Sequence, residues 1–83
     1  MGVNTLNYYT QRIFMHTNFK LSGEYIELFK LLKVTGLAES GGMAKYVISQ
    51  GQVSVDGTIE TRKRCKIQKG QKVEWTGNII QVD

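Results

Sequence analysis

The stretch GLAESGGMAKYVISQGQVSVDG, Gly36 to Gly57, changes hydrophobic period halfway along its length. Its first half reads as the start of a helix. Ser40 suits the N-cap, because its hydroxyl can accept a hydrogen bond from an otherwise unpaired N–H of the first turn. Ala44, Val47 and Ile48 then share one face at helical spacing, the helix runs to about Gln50, and Gly51 stops it. Gly41 and Gly42 are poor helix formers, and their place in the first turn points to a need for close backbone access. Beyond Gly51 the period is two. Val53 and Val55 alternate with Gln52 and Ser54, and Asp56-Gly57 is among the best short hairpin signals.

Working outward, Glu24 to Val34 reads as a first helix. Tyr25, Leu28, Phe29 and Leu32 fall on one face, with Glu24 in the first turn, Lys33 near the last and Gly36 as the stop. Phe19 and Leu21 alternate with Asn18 and Lys20, which predicts a short first strand. Residues 1–17 have no sustained period and are expected to be a disordered tail ahead of a domain spanning 18–83. Downstream, Thr58-Ile59-Glu60 returns the first hairpin, and Lys69-Gly70-Gln71 makes a turn. Val73 and Trp75 then alternate before Gly77-Asn78, which reads as the loop of a second hairpin closed by Ile80 and Val82. The predicted class is α+β: two packed helices on a small, mostly antiparallel sheet, with Val53 and Val55 buried beneath the helices. Tyr25, Phe29 and Trp75 have core-type spacings and are expected to be structural.

A chain of 83 residues is one domain at most. Cys65 is its one cysteine and His16 its one histidine. Together they allow neither an internal disulfide nor a structural zinc site, which takes about four ligands. A lone thiol fits a reducing cytosol, and no apolar run nears the roughly 20 residues that cross a bilayer. The expectation is a cytoplasmic monomer that acts without cofactor, metal, membrane or small-molecule substrate. Catalysis finds little support. His16 lies in the segment read as tail, and the carboxylates are scattered singly. Cys65 is flanked by Arg64 and Lys66, which could activate a thiolate, yet it shares a face with Ile67 and reads better as a small core residue.

Charge is the informative quantity. The first 60 residues carry five basic and five acidic side chains, whereas residues 61–83 carry six basic against two acidic. The whole net charge of +4 therefore sits in the last 23 residues. Six cations fall between Arg62 and Lys72 with no acid among them. In an extended chain Arg62, Arg64 and Lys66 would point one way, about 6.5–7 Å apart, and Lys63, Cys65 and Ile67 the other. Arginine's planar fork suits phosphate, so a polyanion site is favoured over a merely solvated edge. Ser40-Gly41-Gly42 can add backbone N–H groups at a helix N-terminus, and Lys45 projects from the same turn. Two other readings stay open: a helix-turn-helix DNA binder, and an interaction module docking an acidic protein. Against the first, the second helix offers only Lys45 as a cation.

The run Gly36 to Lys45, followed by Gly51 to Gly57 and by Lys69-Gly70-Gln71-Lys72-Val73, resembles the S-four (alpha-L) RNA-binding domain. Glu60 to Ile67 closely resembles the small bacterial YbcJ-like proteins, which consist of this domain alone. The resemblance covers about residues 18–83, with four blocks in the right order. It implies a helix pair packed on a small sheet and a non-catalytic, RNA-contacting surface for structured RNA, ribosomal or transfer. The family's helix-turn residues map to Ser40, Gly41, Ala44 and Lys45, and its hairpin to Val53, Val55, Asp56 and Gly57. Gly41 stands where many such domains have Arg, which removes one expected phosphate contact; Arg62, Lys63, Arg64 and Lys66 can compensate. Gln71 stands where many have Asp, a change expected to affect the turn.

Overall fold

The computed structural model describes residues 15–83. The switch of period produces the expected switch of structure. After β1 (His16–Phe19) and β2 (Ile26–Glu27) come α1 (Leu28–Val34) and α2 (Gly41–Ser49). Five further strands follow: β3 (Val53–Val55), β4 (Thr58–Ile59), β5 (Lys66–Ile67), β6 (Lys72–Trp75) and β7 (Asn78–Val82). One sheet has the order β1-β7-β6-β3-β4, and β2 with β5 forms a separate two-stranded ribbon. Every pairing is antiparallel except β1 with β7. The class is α+β, two helices on a mostly antiparallel sheet.

α2 forms as its residues dictate. The Ser40 hydroxyl accepts a hydrogen bond from the Met43 N–H at 3.1 Å, satisfying one orphan donor of the first turn. At the other end the Gly51 N–H reaches the Ile48 carbonyl and the Gln52 N–H the Val47 carbonyl. That pair of bonds is a Schellman closure, and it needs the positive φ of 76° that Gly51 adopts. Ala44, Val47 and Ile48 are buried. They meet Leu28, Phe29, Leu31 and Leu32 of α1, and below them lie Val53, Ile67, Val73, Ile80 and Val82 of the strands. Val53 is fully buried, while Val55, expected to match it, is only partly covered. Its strand runs out from under the helices toward the Asp56-Gly57 turn.

Three local expectations are corrected. The first helix begins at Leu28, not Glu24, because the backbone of Ile26 and Glu27 pairs with Ile67 and Lys66 instead. Tyr25 consequently lies outside the helix and is 44 % exposed, not in the core. The first strand runs from His16 to Phe19, since its register is set by parallel pairing to β7, His16 to Ile79 through Phe19 to Val82. Two residues of the segment read as tail thus lie in a strand, and residues 1–14 lie outside the described residues. The second hairpin turns at Thr76-Gly77, with Asn78 already the first residue of β7 and paired to Trp75.

That turn has φ of 51° at Thr76 and 83° at Gly77. Two successive positive φ values make the tight turn whose twist suits a hairpin, and Asn-Gly is its preferred dipeptide. A β-branched residue there is strained, by roughly 1 kcal/mol. The Thr76 hydroxyl does donate to the Trp75 carbonyl at 2.7 Å and accept from the Asn78 amide at 3.0 Å. These are exposed bonds that water can replace. Thr76→Asn is therefore expected to stabilise the domain by about 0.5–1 kcal/mol in urea unfolding. A lowered midpoint would show that the hydroxyl bonds outweigh the strain.

Candidate nucleic-acid interface

The site is built where the loop between β4 and β5 crosses the start of α1. Leu28 and Phe29, the first residues of α1, have N–H groups with no partner inside the helix. Glu27, at the N-cap, makes no side-chain cap. Instead the Leu28 N–H donates to the Cys65 carbonyl at 2.9 Å and the Phe29 N–H to the Lys63 carbonyl at 3.0 Å. The basic loop is thereby fixed to the helix end by its own backbone. Only Lys66 and Ile67 of this stretch form a strand, and Lys63 and Arg64 occupy a turn. The alternating extended geometry expected for Arg62, Arg64 and Lys66 is thus replaced by a folded loop, because its carbonyls are recruited as caps.

Phe29 is the centre of the arrangement. Its ring is nearly buried, and among the described residues three cations approach it. The Lys45 Nζ lies 4.7 Å from the ring centroid, the Arg64 Cζ 5.0 Å and the Lys30 Nζ 5.9 Å. The negative face of an aromatic ring attracts such cations. Gly41 lies against the same ring, where an added Cβ would stand 3.8 Å from its edge. Glu27 ties two of the three cations, with its Oε1 at 3.1 Å from Arg64 and 3.5 Å from Lys30. Alongside, Lys66 covers the Tyr25 ring at 4.9 Å. Arg62, Arg64, Cys65 and Lys66 line an open cleft of about 420 Å³.

Arg62 differs from its neighbours. Its Nε and Nη2 each donate to Glu60 at 2.9 Å, and its backbone N–H does so at 2.9 Å. The hydrogen bonds from the Arg62 side chain and backbone hold the Glu60 carboxyl down to about 2, and the same pairing raises the guanidinium above its usual value. Because the folded-state value is depressed, the stability this pair contributes is present above the unfolded carboxyl value of 4.5 and is lost as pH falls toward 2. In acid titrations Glu60→Gln should be less stable than the parent near neutral pH, with the gap closing between about 4.5 and 2. A gap that persists to pH 2 would mean that the carboxylate's charge plays no part.

Of the residues singled out from sequence, Gly41, Lys45 and Arg64 converge on Phe29, with Ser40 one position before Gly41 as the cap of α2. Arg62, Arg64 and Lys66 share the cleft. Lys63 is exposed in the turn and contributes its carbonyl to α1. Phe29, Lys30, Glu27 and Tyr25 join the site without having been singled out for it. Lys30 and Lys33 stand three apart, which places them side by side on a helix, and that spacing was the available signal. Cys65 is partly buried against the core. Burial, and then the nearby Glu60 carboxylate, push its thiol up, away from the thiolate that nucleophilic chemistry needs. Among the described residues no three His, Cys, Asp or Glu side chains are grouped to hold a metal ion. No described helix is long and apolar enough to cross a membrane.

Among the described residues, two short helices on a mixed sheet, with cations gathered where a loop caps the first helix, define a small basic α+β domain. The chain belongs to the S4 domain family, whose model matches residues 19–83. It is 55 % identical over 58 residues to YbcJ of Escherichia coli (strain K12), covering 70 % of this chain and 83 % of YbcJ. The solution structure of E. coli YbcJ, described as revealing an alpha-L motif involved in RNA binding, superimposes with a TM-score of 0.64 at 51 % identity. That match covers 80 % of this chain and 85 % of the other. A second relative is the "Probable ribosome maturation protein RlbA" of Bacillus subtilis (strain 168), 33 % identical over 63 residues, 76 % of this chain and 89 % of RlbA. The tyrosine–tRNA ligase of Ralstonia nicotianae is 40 % identical over 58 residues, 70 % of this chain but only 15 % of the ligase.

Proposed function

We propose that this domain is a non-catalytic RNA-binding module of the cytoplasm, acting as a monomer, that holds structured RNA by its phosphates. The observation that carries this reading is the convergence of Lys30, Lys45 and Arg64 on the Phe29 ring. Lys66 shares the adjoining cleft with Arg64, Lys63 is exposed in the same loop, and the N-terminus of α2 reaches the Phe29 ring through Gly41. Glu27 and Glu60 offset part of this charge without neutralising it. Cations held in place by an aromatic ring and by capping carbonyls have lost much of their conformational freedom before any phosphate arrives, which lowers the cost of binding. The family and the alpha-L structural neighbour favour RNA over duplex DNA as the polyanion. Relatives named for ribosome maturation and for tRNA charging favour ribosomal or transfer RNA.

The test is a competition. A labelled hairpin RNA is bound by the domain and challenged with the DNA duplex of the same sequence and with a polyglutamate peptide of equal charge. The expected result is that neither competitor displaces the RNA at equimolar concentration, with a slope of log affinity against log salt of about −3 to −4 for four or five phosphate contacts. Displacement by polyglutamate as readily as by unlabelled RNA would overturn the reading in favour of an acidic protein partner. Equal displacement by duplex DNA would favour the helix-turn-helix alternative.

A further inference from the structure

Beside the Phe29 cluster, between α1 and the start of α2, runs a groove of about 440 Å³ lined by Ile26, Phe29, Lys30, Lys33, Val34 and Gly41. Its chemistry differs from that of the neighbouring cleft. Ile26, Phe29 and Val34 give it apolar walls, and Val34 is 61 % exposed although it is a β-branched hydrocarbon at the end of a helix. Among the described residues its polar liners are Lys30 and Lys33, both cations. A partner that fits must offer a flat apolar face and an anion within one side chain's reach of each other.

We propose that this groove receives an unpaired nucleobase of the bound RNA, a bulged or looped-out nucleotide whose flanking phosphates rest on Lys30 and Lys33. In a fully paired helix the base faces are hidden in the stack, and only the sugar–phosphate edge reaches the protein. An unpaired nucleotide presents both surfaces at once, and RNA recognition commonly uses such splayed bases. The volume lies within the range of pockets that take small organic ligands. The groove is continuous with the basic face through Phe29 and Lys30, so a strand held there passes its mouth. Gly41 keeps the mouth open, since any side chain at that position would project toward the Phe29 ring. The inference rests on the proposed RNA-binding function and narrows it to RNA with an unpaired nucleotide.

Two hairpin RNAs of equal phosphate number, each closed by the same ethylene-glycol linker in place of loop nucleotides, test it, one fully paired and one with a single bulged 2-aminopurine. The bulged hairpin is expected to bind at least about fivefold tighter, as placing one base against apolar and aromatic side chains would give, with a change in 2-aminopurine emission on binding. Gly41→Leu should fill the groove at a site where an added Cβ makes only an ordinary contact of 3.8 Å. Val34→Ser should remove one wall at an exposed position. Each should bring the preference close to one. Val34→Ser, which lies outside the phosphate-binding face, should also leave the paired hairpin's affinity within about threefold. Gly41→Leu, which borders the Phe29 cluster, is read only through the ratio of the two affinities. Equal binding of the two hairpins by the parent, or a preference that survives both substitutions, would overturn the groove assignment and leave the RNA-binding function standing. Failure to bind either hairpin would overturn both. Displacement of the bulged hairpin by an acidic peptide containing one aromatic residue, under conditions where the paired hairpin does not displace it, would assign the groove to a protein and end the proposal.

Discussion

Replacing Lys45 and Arg64 together with Ala is expected to weaken RNA binding by at least about a hundredfold and to flatten the salt slope by about 1.5–2. Each residue supplies one charged contact to phosphate, and hydrogen bonds to charged groups contribute about 1.5–3 kcal/mol apiece. Each removed contact also removes the release of roughly one counterion. The loss should be similar for unrelated RNA sequences, because phosphate carries little sequence information. The fold should survive. The two cations stand over Phe29 at the protein surface, where such contacts contribute about 0.5–1 kcal/mol each, and the ring itself stays packed against the helices. Arg62→Ala provides the contrast. Its guanidinium is already held by Glu60 through two side-chain bonds, so its loss should cost only a few-fold in affinity. An unchanged salt slope in the Lys45, Arg64 double variant, with circular dichroism showing an intact fold, would remove the Phe29 cluster from the interface.

The second large effect is on stability. Ile67→Ala should destabilise the domain by about 2–5 kcal/mol, the usual range for truncating a fully buried branched side chain and leaving a cavity. Ile67 is fully buried and pairs with Ile26 in the β2–β5 ribbon. It is thus the core anchor of the loop whose carbonyls cap α1. For a domain of this size the change corresponds to a fall in thermal midpoint of at least about 10 °C, and it is a large part of the total stability that small domains possess. Urea unfolding followed by Trp75 fluorescence measures it. A change below about 1 kcal/mol would mean that the ribbon is not coupled to the core, and the loop would then be held by its two carbonyl bonds alone.

How far the sequence foretold these features follows the range of the forces involved. The length of α2, its Ser40 cap and its Gly51 stop were legible because every bond that sets them joins residues a few positions apart. The Asp56-Gly57 hairpin was legible for the same reason, since positive φ at two successive positions is a local demand. Alternation placed Val53 inside correctly. It could not say that Val55 would emerge from under the helices, because coverage depends on where the helices sit along the strand. The location of the charge was likewise readable by counting, and the family resemblance, carried by four blocks between Gly36 and Val73, covered about residues 18–83.

The start of α1 was not readable, because periodicity continues through Tyr25 and the competing partner of Ile26 and Glu27 lies about 40 residues downstream. The parallel seating of β1 on β7 joins the two ends of the described chain, and no turn signal marks it. The same limit governed the site. The sequence determined that this protein is a small α+β domain with its excess cations in one late segment, because periodicity, capping, turn chemistry and charge are properties of neighbouring residues. Only the tertiary structure decided that Lys30, Lys45 and Arg64 meet over one aromatic ring while Arg62 is bound to Glu60. Those positions are fixed by carbonyls of one loop capping a distant helix, and by a core that brings the two together.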